Sequence, residues 1–299
     1  MRHFIKRRLL SVLLGTATIL VVVLGTLWRS AIKRNRSVPD QPFQIAGNLY
    51  YVGSTGITAF LLTGPQGHVL IDGGYPETAP LIAGSIAKLG FKITDVKALL
   101  NTHAHSDHAG GLAALQRASG AELWVSDGDY DVMAAGGRGD IGLGLVDVVL
   151  FFTGELTFDV PRIDHRFKDG DTIRVGPIAL TAHVTAGHTR GCTSWSFPVS
   201  DGRHELLAVD ICSLTLNQLV PEAYPGIRSD FERSFRVLRS LPADIFLASH
   251  ADMFSMQRKL GERADAKSPV DPFIDRAGYL GFIDRAEERF RKALADQQR

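Results

Sequence analysis

From about residue 43 onward, apolar residues come in short runs broken by glycine, proline and polar turns. Runs at 48–52 and 58–62 flank a glycine turn and read as strands; 68–71 reads as a third, ending at Asp72-Gly73-Gly74. Gly64-Pro65-Gln66-Gly67 is a further turn signal. Residues 79–89 space their apolar positions as an amphipathic helix does and stop at Gly90. Within 93–100, Val96-Lys97-Ala98-Leu99-Leu100 predicts a buried strand, followed by a helix at 112–118, a strand at 122–125 and a helix at 127–135. Past Asp171 short strands dominate, at 172–175, 178–183, 194–199 and 205–209. A helix at 230–241, a last core strand at 245–248 and a helix at 284–295 complete the pattern. Strands, helices, strands and helices in that order fit an α/β architecture in which two sheets pack face to face between helices.

The N-terminal end departs from this rhythm. Residues 9–28 are uncharged and follow Arg2, Lys6, Arg7 and Arg8. A membrane span needs about 20 apolar residues, whereas the apolar part of a signal peptide is about 7–15. No clean A-x-A cleavage site follows, Val23-Leu24-Gly25 being the best available. Residues 1–28 are therefore expected to be an uncleaved membrane anchor or a cleaved signal peptide, 29–42 a polar linker, and 43–299 the catalytic domain. Arg29, Lys33, Arg34 and Arg36 balance the four basic residues ahead of the stretch, so charge bias does not set its orientation. The chain has 299 residues, 45% of them hydrophobic, enough for a sizeable core, and a net charge of +1 without a long internal basic run, which argues against a nucleic-acid partner.

Candidate chemistry concentrates at 101–111, Asn-Thr-His-Ala-His-Ser-Asp-His-Ala-Gly-Gly, where His103, His105, Asp107 and His108 fall in an H-x-H-x-D-H pattern just past a strand. Strand ends are where layered α/β folds build their sites. In extended backbone residues i and i+2 point the same way, so His103 and His105 can reach one metal while the turn carries Asp107 and His108 toward a second. Imidazole and carboxylate are ordinary zinc ligands. His188 and His250 each follow another apolar stretch. The other five histidines, His3, His68, His165, His183 and His204, read as surface or locally hydrogen-bonded groups. Asp72 is open to two readings, a residue that orients a ligand or a plain turn residue. Ser106 and Ser249 flank candidate ligands, but neither has a dedicated base. Cys192 and Cys212, the only cysteines, each lie just past an element bordering the site. A disulfide, two free thiols, or Cys212 as a metal ligand are the alternatives.

The Asp-Gly-Gly run at 72–74, the H-x-H-x-D-H turn, Gly187-His188-Thr189 and Ser249-His250 together resemble the metallo-β-lactamase superfamily. Finer runs are similar to its subclass B3: Gly-His-Thr-Arg-Gly-Cys-Thr-Ser-Trp at 187–195, Ala-Ala-Gly-Gly at 134–137, and Tyr224-Pro225 before a Phe-rich helix. The resemblance covers about residues 43–294 and implies an αββα sandwich with two zinc ions at one edge. His103, His105 and His188 would hold the first zinc, and Asp107, His108 and His250 the second. It also implies that Asp107 holds the attacking hydroxide and that Ser213 and Thr215 bind the substrate carboxylate. It places Ser213 where a different subclass has a cysteine ligand, and pairs Cys192 with Cys212. The implied activity is opening of the β-lactam ring of penicillins, cephalosporins and carbapenems by an exported, periplasmic, monomeric enzyme. The alternative is another hydrolase of this fold, a glyoxalase II-like thioesterase, a lactonase or a phosphodiesterase, in which Asp210 would bridge the metals. Residues 141–152 are more apolar than the family's pattern.

The N-terminal reading predicts that the full chain fractionates with membranes and that a chain shortened to begin near Ser37 does not. A mature N-terminus near Thr26, read by N-terminal sequencing, would establish cleavage instead.

Overall fold

The β4 strand, His68–Ile71, shows how the sheets are assembled. All four of its residues are buried, because alternate side chains enter different layers: Val69 and Ile71 join one apolar cluster and Leu70 the other. The computed structural model describes residues 38, 40–139, 156–200 and 202–297. Ahead of β4 lie β1 (Phe43–Ala46), β2 (Leu49–Tyr51) and β3 (Phe60–Leu62), and after it α1 (Ala79–Lys88), β5 (Val96–Leu100), α2 (Ser106–Ala109), α3 (Leu112–Ser119), β6 (Glu122–Ser126), α4 (Tyr130–Ala134) and β7 (His165–Phe167). The second half holds β8 (Thr172–Val175), β9 (Ile178–Val184), β10 (Thr193–Ser200), β11 (Glu205–Ile211), α5 (Ile227–Ser240), β12 (Ile245–Ala248), α6 (Met256–Glu262) and α7 (Arg276–Gln297).

Strands β1 to β7 form one sheet in sequence order, antiparallel as far as β4 and parallel from β4 through β7. The other sheet runs β12-β11-β10-β9-β8, with β11 and β12 parallel. Phe60, Leu62, Val69 and Ile71 share an apolar cluster with Leu180, Ala182, Trp195 and Phe197 of the opposite sheet, and with Phe231, Phe235 and Ile283 of α5 and α7. The outer face of the first sheet, with Leu61, Leu70, Leu99 and Leu123, is covered by Ile82, Ile86, Leu112 and Leu115 of α1 and α3. The result is the expected helix–sheet–sheet–helix sandwich. Burying a large aliphatic or aromatic side chain contributes roughly 1.5–3 kcal/mol, and this double coverage is what makes short strands stable.

Several expected elements have different bounds. Helix α4 begins at Tyr130, not near 127, because Asp129 is engaged by its side chain and only its carbonyl starts the helix, accepting from Met133 N. The C-terminal helix begins at Arg276, well before 284, because Asp275 receives Gly278 N at 2.8 Å on Oδ1 and carries the helix through two early glycines. Strands β1 and β7 and helix α6 have no counterpart in the sequence reading: β7 opens with the polar pair His165-Arg166, and α6 buries only Met256 and Lys259. Among the described residues no helix is long and apolar enough to cross a membrane. The stretches 9–28 and 141–152 lie outside the described residues.

Lys259 is fully buried, with Nζ 3.0 Å from Asp275 Oδ2 and 5.3–5.8 Å from the ring centroids of Phe246, Phe254 and Phe273. Burial pushes its pKa down, and the Asp275 carboxylate works against that. Removing one partner of a buried pair leaves an uncompensated charge and costs about 3–5 kcal/mol, whereas an apolar replacement of similar volume is often neutral. Asp275→Ala is therefore expected to destabilise the fold by about that amount and Lys259→Met by clearly less, as read by urea denaturation; the reverse ranking would remove the ion pair from the account.

Candidate metal centre

The parallel strands β4, β5 and β6 deliver three chain segments to one edge of the sheet. Past β4, Asp72 N donates to Leu100 O at 2.9 Å, and Gly73 N donates to His108 O at 2.8 Å. Gly111 N in turn donates to Gly74 O at 3.0 Å. The two loops touch backbone to backbone: a Cβ on Gly111 would lie 2.1 Å from Gly73 O, and one on Gly73 2.7 Å from Leu112 N. That contact explains the glycines in both motifs.

Asp72 has φ +63°, a left-handed conformation that Asp and Asn tolerate. Its buried carboxylate accepts from Asn101 Nδ2 (3.0 Å), Thr102 N (2.7 Å), Thr102 Oγ1 (2.7 Å) and His108 Nδ1 (2.9 Å). Since the Thr102 hydroxyl donates to Asp72, it accepts from His103 Nδ1 at 3.1 Å. In the other sheet, His188 Nδ1 donates to Thr215 O at 3.1 Å, and Asn217 Nδ2 donates to His188 O at 2.6 Å. His103, His108 and His188 thus each spend Nδ1 on a partner outside the cluster, leaving Nε2 to face it. A ligating imidazole needs this arrangement.

The ring centroids of His103, His105 and His188 form a triangle with sides of 4.6–4.8 Å. Their ligand atoms lie within 4.8 Å of one another, as do those of His103, Asp107 and His108. His108 Nε2 lies 3.4 Å from Asp107 Oδ2 and 3.2 Å from His250 Nε2, and His250 Nε2 lies 3.6 Å from Asp107 Oδ2. Burial, and then the neighbouring imidazoles, push His103 well below the ordinary histidine range. Burial and His105 take His188 down to about 3. Burial also lowers His108, but Asp107 and Asp72 outweigh it and push the group up to about 10. Burial raises Asp107, and the surrounding histidines, His108 first, pull it below its usual range. Imidazoles that converge on one point, beside a carboxylate and two further imidazoles, are a donor set that suits a divalent cation.

All six expected ligands meet at this edge. Ser213 is buried, and its hydroxyl accepts Thr215 N at 3.1 Å, whereas the Thr215 side chain is exposed. Cys192 and Cys212 form a disulfide, which removes the free-thiol and cysteine-ligand alternatives. Asp210 is fully buried, and neither carboxylate oxygen has a hydrogen-bond partner. Burial, and then Asp72, push its pKa well above the usual carboxylate range, and it belongs to none of the ligand clusters. Against His250 lies a cavity of about 540 Å³ lined by Thr55, Ile57, Ser255 and Met256 among others. The sequence reading gave Asn101, Thr102 and Asp129 no role. Asp129 fell inside the helix expected at 127–135, and no local motif marked it.

The sequence model of the metallo-beta-lactamase superfamily matches residues 52–201. The chain belongs to the metallo-β-lactamase superfamily. Among solved structures, it is similar to the native FEZ-1 metallo-beta-lactamase from Legionella gormanii, with 36% identity, a TM-score of 0.81, and coverage of 88% of this chain and 98% of that one. It is similar also to BJP-1, a subclass B3 metallo-beta-lactamase of Bradyrhizobium japonicum, with 35% identity, a TM-score of 0.79, and coverage of 88% and 97%. Curated relatives carry a different name. A hydroxyacylglutathione hydrolase from Rhodopseudomonas palustris (strain BisB5) is 30% identical over 58% of this chain and 53% of its own length. One from Jannaschia sp. is 26% identical over 64% and 60%. This metallo-β-lactamase-superfamily chain therefore spans about half to three-fifths of the length of those relatives.

Asp72→Asn keeps a residue that tolerates the left-handed backbone and removes the charge that orients His108. It is expected to weaken divalent-metal binding by about 10–100-fold, measured by competition with a chromophoric chelator; unchanged affinity would count against this role for Asp72.

Proposed function

We propose that this protein is a zinc-dependent hydrolase that opens the β-lactam ring of penicillins, cephalosporins and carbapenems. The observation that carries the reading is likeness over full length: at 36% identity the chain accounts for 98% of the FEZ-1 metallo-beta-lactamase, but for little more than half of the hydroxyacylglutathione hydrolases.

In this proposal His103, His105 and His188 hold one zinc, and Asp107, His108 and His250 a second. Bound there, zinc supplies a Lewis acid and a source of hydroxide at neutral pH. The chain's own residues do the rest. Asp107 faces both groups and accepts a hydrogen bond from the attacking water, fixing its orientation. Asp72 and Thr102 keep His108 and His103 turned toward the centre. Thr215 offers an exposed hydroxyl to the substrate carboxylate, while Ser213 sets the Thr215 backbone through its 3.1 Å bond. No serine is acylated in this scheme. Residues 9–28 and the Cys192–Cys212 bond support export, since disulfides persist in oxidising compartments.

The second reading, a thioesterase like the hydroxyacylglutathione hydrolases, is favoured by the names of the curated relatives. Against it stands Asp210, buried outside the ligand clusters where that reading would have it bridge two metals.

A hydrolysis panel on zinc-loaded protein separates the two. Ring opening of a penicillin, a cephalosporin and a carbapenem is expected, abolished by chelation, restored by zinc, blocked by thiol metal-binders and insensitive to inhibitors that trap an acylated serine. Turnover of a glutathione thioester or a lactone with all three β-lactams intact would give the activity to the second reading.

A further inference from the structure

We infer that Asp129 is the positioning residue of the first metal site, holding the loop of His103 and His105 in register with the loop of His188. The inference rests on the metal reading proposed above.

Asp129 lies three residues past the end of β6 and is 2% exposed. Its Oδ2 accepts Ala104 N at 2.9 Å and Thr189 Oγ1 at 2.9 Å, and its Oδ1 accepts Gly191 N at 2.8 Å. Ala104 separates His103 from His105, and Thr189 follows His188. One carboxylate therefore bonds next to all three imidazoles of the triangle, across two loops that belong to different sheets. Ser126 adds a parallel tie, its hydroxyl donating to Gly191 O at 2.9 Å.

The loops are also pressed together. A Cβ on Gly191 would lie 2.1 Å from Ser126 Oγ and 2.7 Å from Asp129 Cγ, and one on Gly128 would lie 2.5 Å from Arg190 O. Steric contact sets the closest approach, and the carboxylate bonds hold the loops there. Hydrogen bonds to an ionised acceptor are roughly twice as strong as neutral ones, so this clamp is stiff. Asp72 works differently: its four donors all come from residues 101–108. It orients side chains within one loop and does not set the distance to His188. A triangle with sides of 4.6–4.8 Å needs that distance held, because two of its corners come from one sheet and the third from the other.

A residue that merely supported the fold would lower the melting temperature and leave the two metal sites in their usual order of affinity. A positioning residue changes one site. The full chain is stripped of metal and titrated with cobalt(II), followed by visible absorption, and with zinc against a chromophoric chelator. His188→Ala identifies which equivalent belongs to the first site. Asp129→Asn is expected to weaken that equivalent by about 10–100-fold, change its cobalt spectrum and leave the other equivalent unaltered. Thr189→Val breaks one of the two Asp129 bonds to the His188 loop, leaving Gly191 N in place, and is expected to weaken the same equivalent by a smaller factor; it carries the test if Asp129→Asn does not fold. Both variants binding metal as the unchanged chain does, or losing both equivalents in parallel, overturns the assignment. Fewer than two equivalents on the unchanged chain overturns the metal reading itself, a separate result.

Discussion

The carboxylate of Asp72, buried and saturated with four hydrogen bonds, is the interaction on which the centre depends. A buried charge is tolerated only when its lone pairs are satisfied, and here the donors that satisfy it are parts of the site. The residue sits at a left-handed turn, forced by the need to bring the chain sharply past the end of β4 while its side chain points back under the next loop. Fold and chemistry meet there: parallel pairing of β4 with β5 puts the two loops side by side, and the carboxylate converts that adjacency into fixed imidazole orientations.

The electrostatics follow from crowding. Five imidazoles crowd against the Asp107 and Asp72 carboxylates, and like charges there cannot all ionise. His103 and His188, without a carboxylate against their rings, are pushed toward the neutral form, whereas Asp107 and Asp72 pull His108 the other way. Such an edge is poised for cations, which supply the positive charge that the imidazoles decline to carry together.

Much of this was legible in the sequence. The strands at 68–71, 172–175 and 245–248 appear with the bounds their apolar runs imply, and the six side chains that meet at the edge could be named, since each sits in a local motif just past a strand. What was not legible depends on distance in the chain. Asp129 looked like an ordinary helix-start residue; its meaning comes from Ala104 and Gly191, which only the fold brings near. Thr102 lay inside the quoted motif, but its relay to His103 requires Asp72 beneath it. Strand β7 and helix α6 were hidden by polar residues that tertiary contacts accommodate, Lys259 among its three aromatic rings being the clearest case.

The disulfide has a consequence beyond holding two strands. Cys212 Sγ lies 3.6 Å from His103 Nδ1, and His103, Cys192 and Cys212 form a compact group of their own. Thiolates are soft ligands that draw copper(I) and other thiophilic ions, whereas imidazole and carboxylate suit zinc. As long as the sulfurs are bonded to each other, neither is a thiolate, and no soft donor stands on the Nδ1 side of His103. Reduced, the same polypeptide would hold two thiols beside the hydrogen bond that joins His103 to Thr102. The bond thus keeps the ring edge turned away from the cluster free of soft donors.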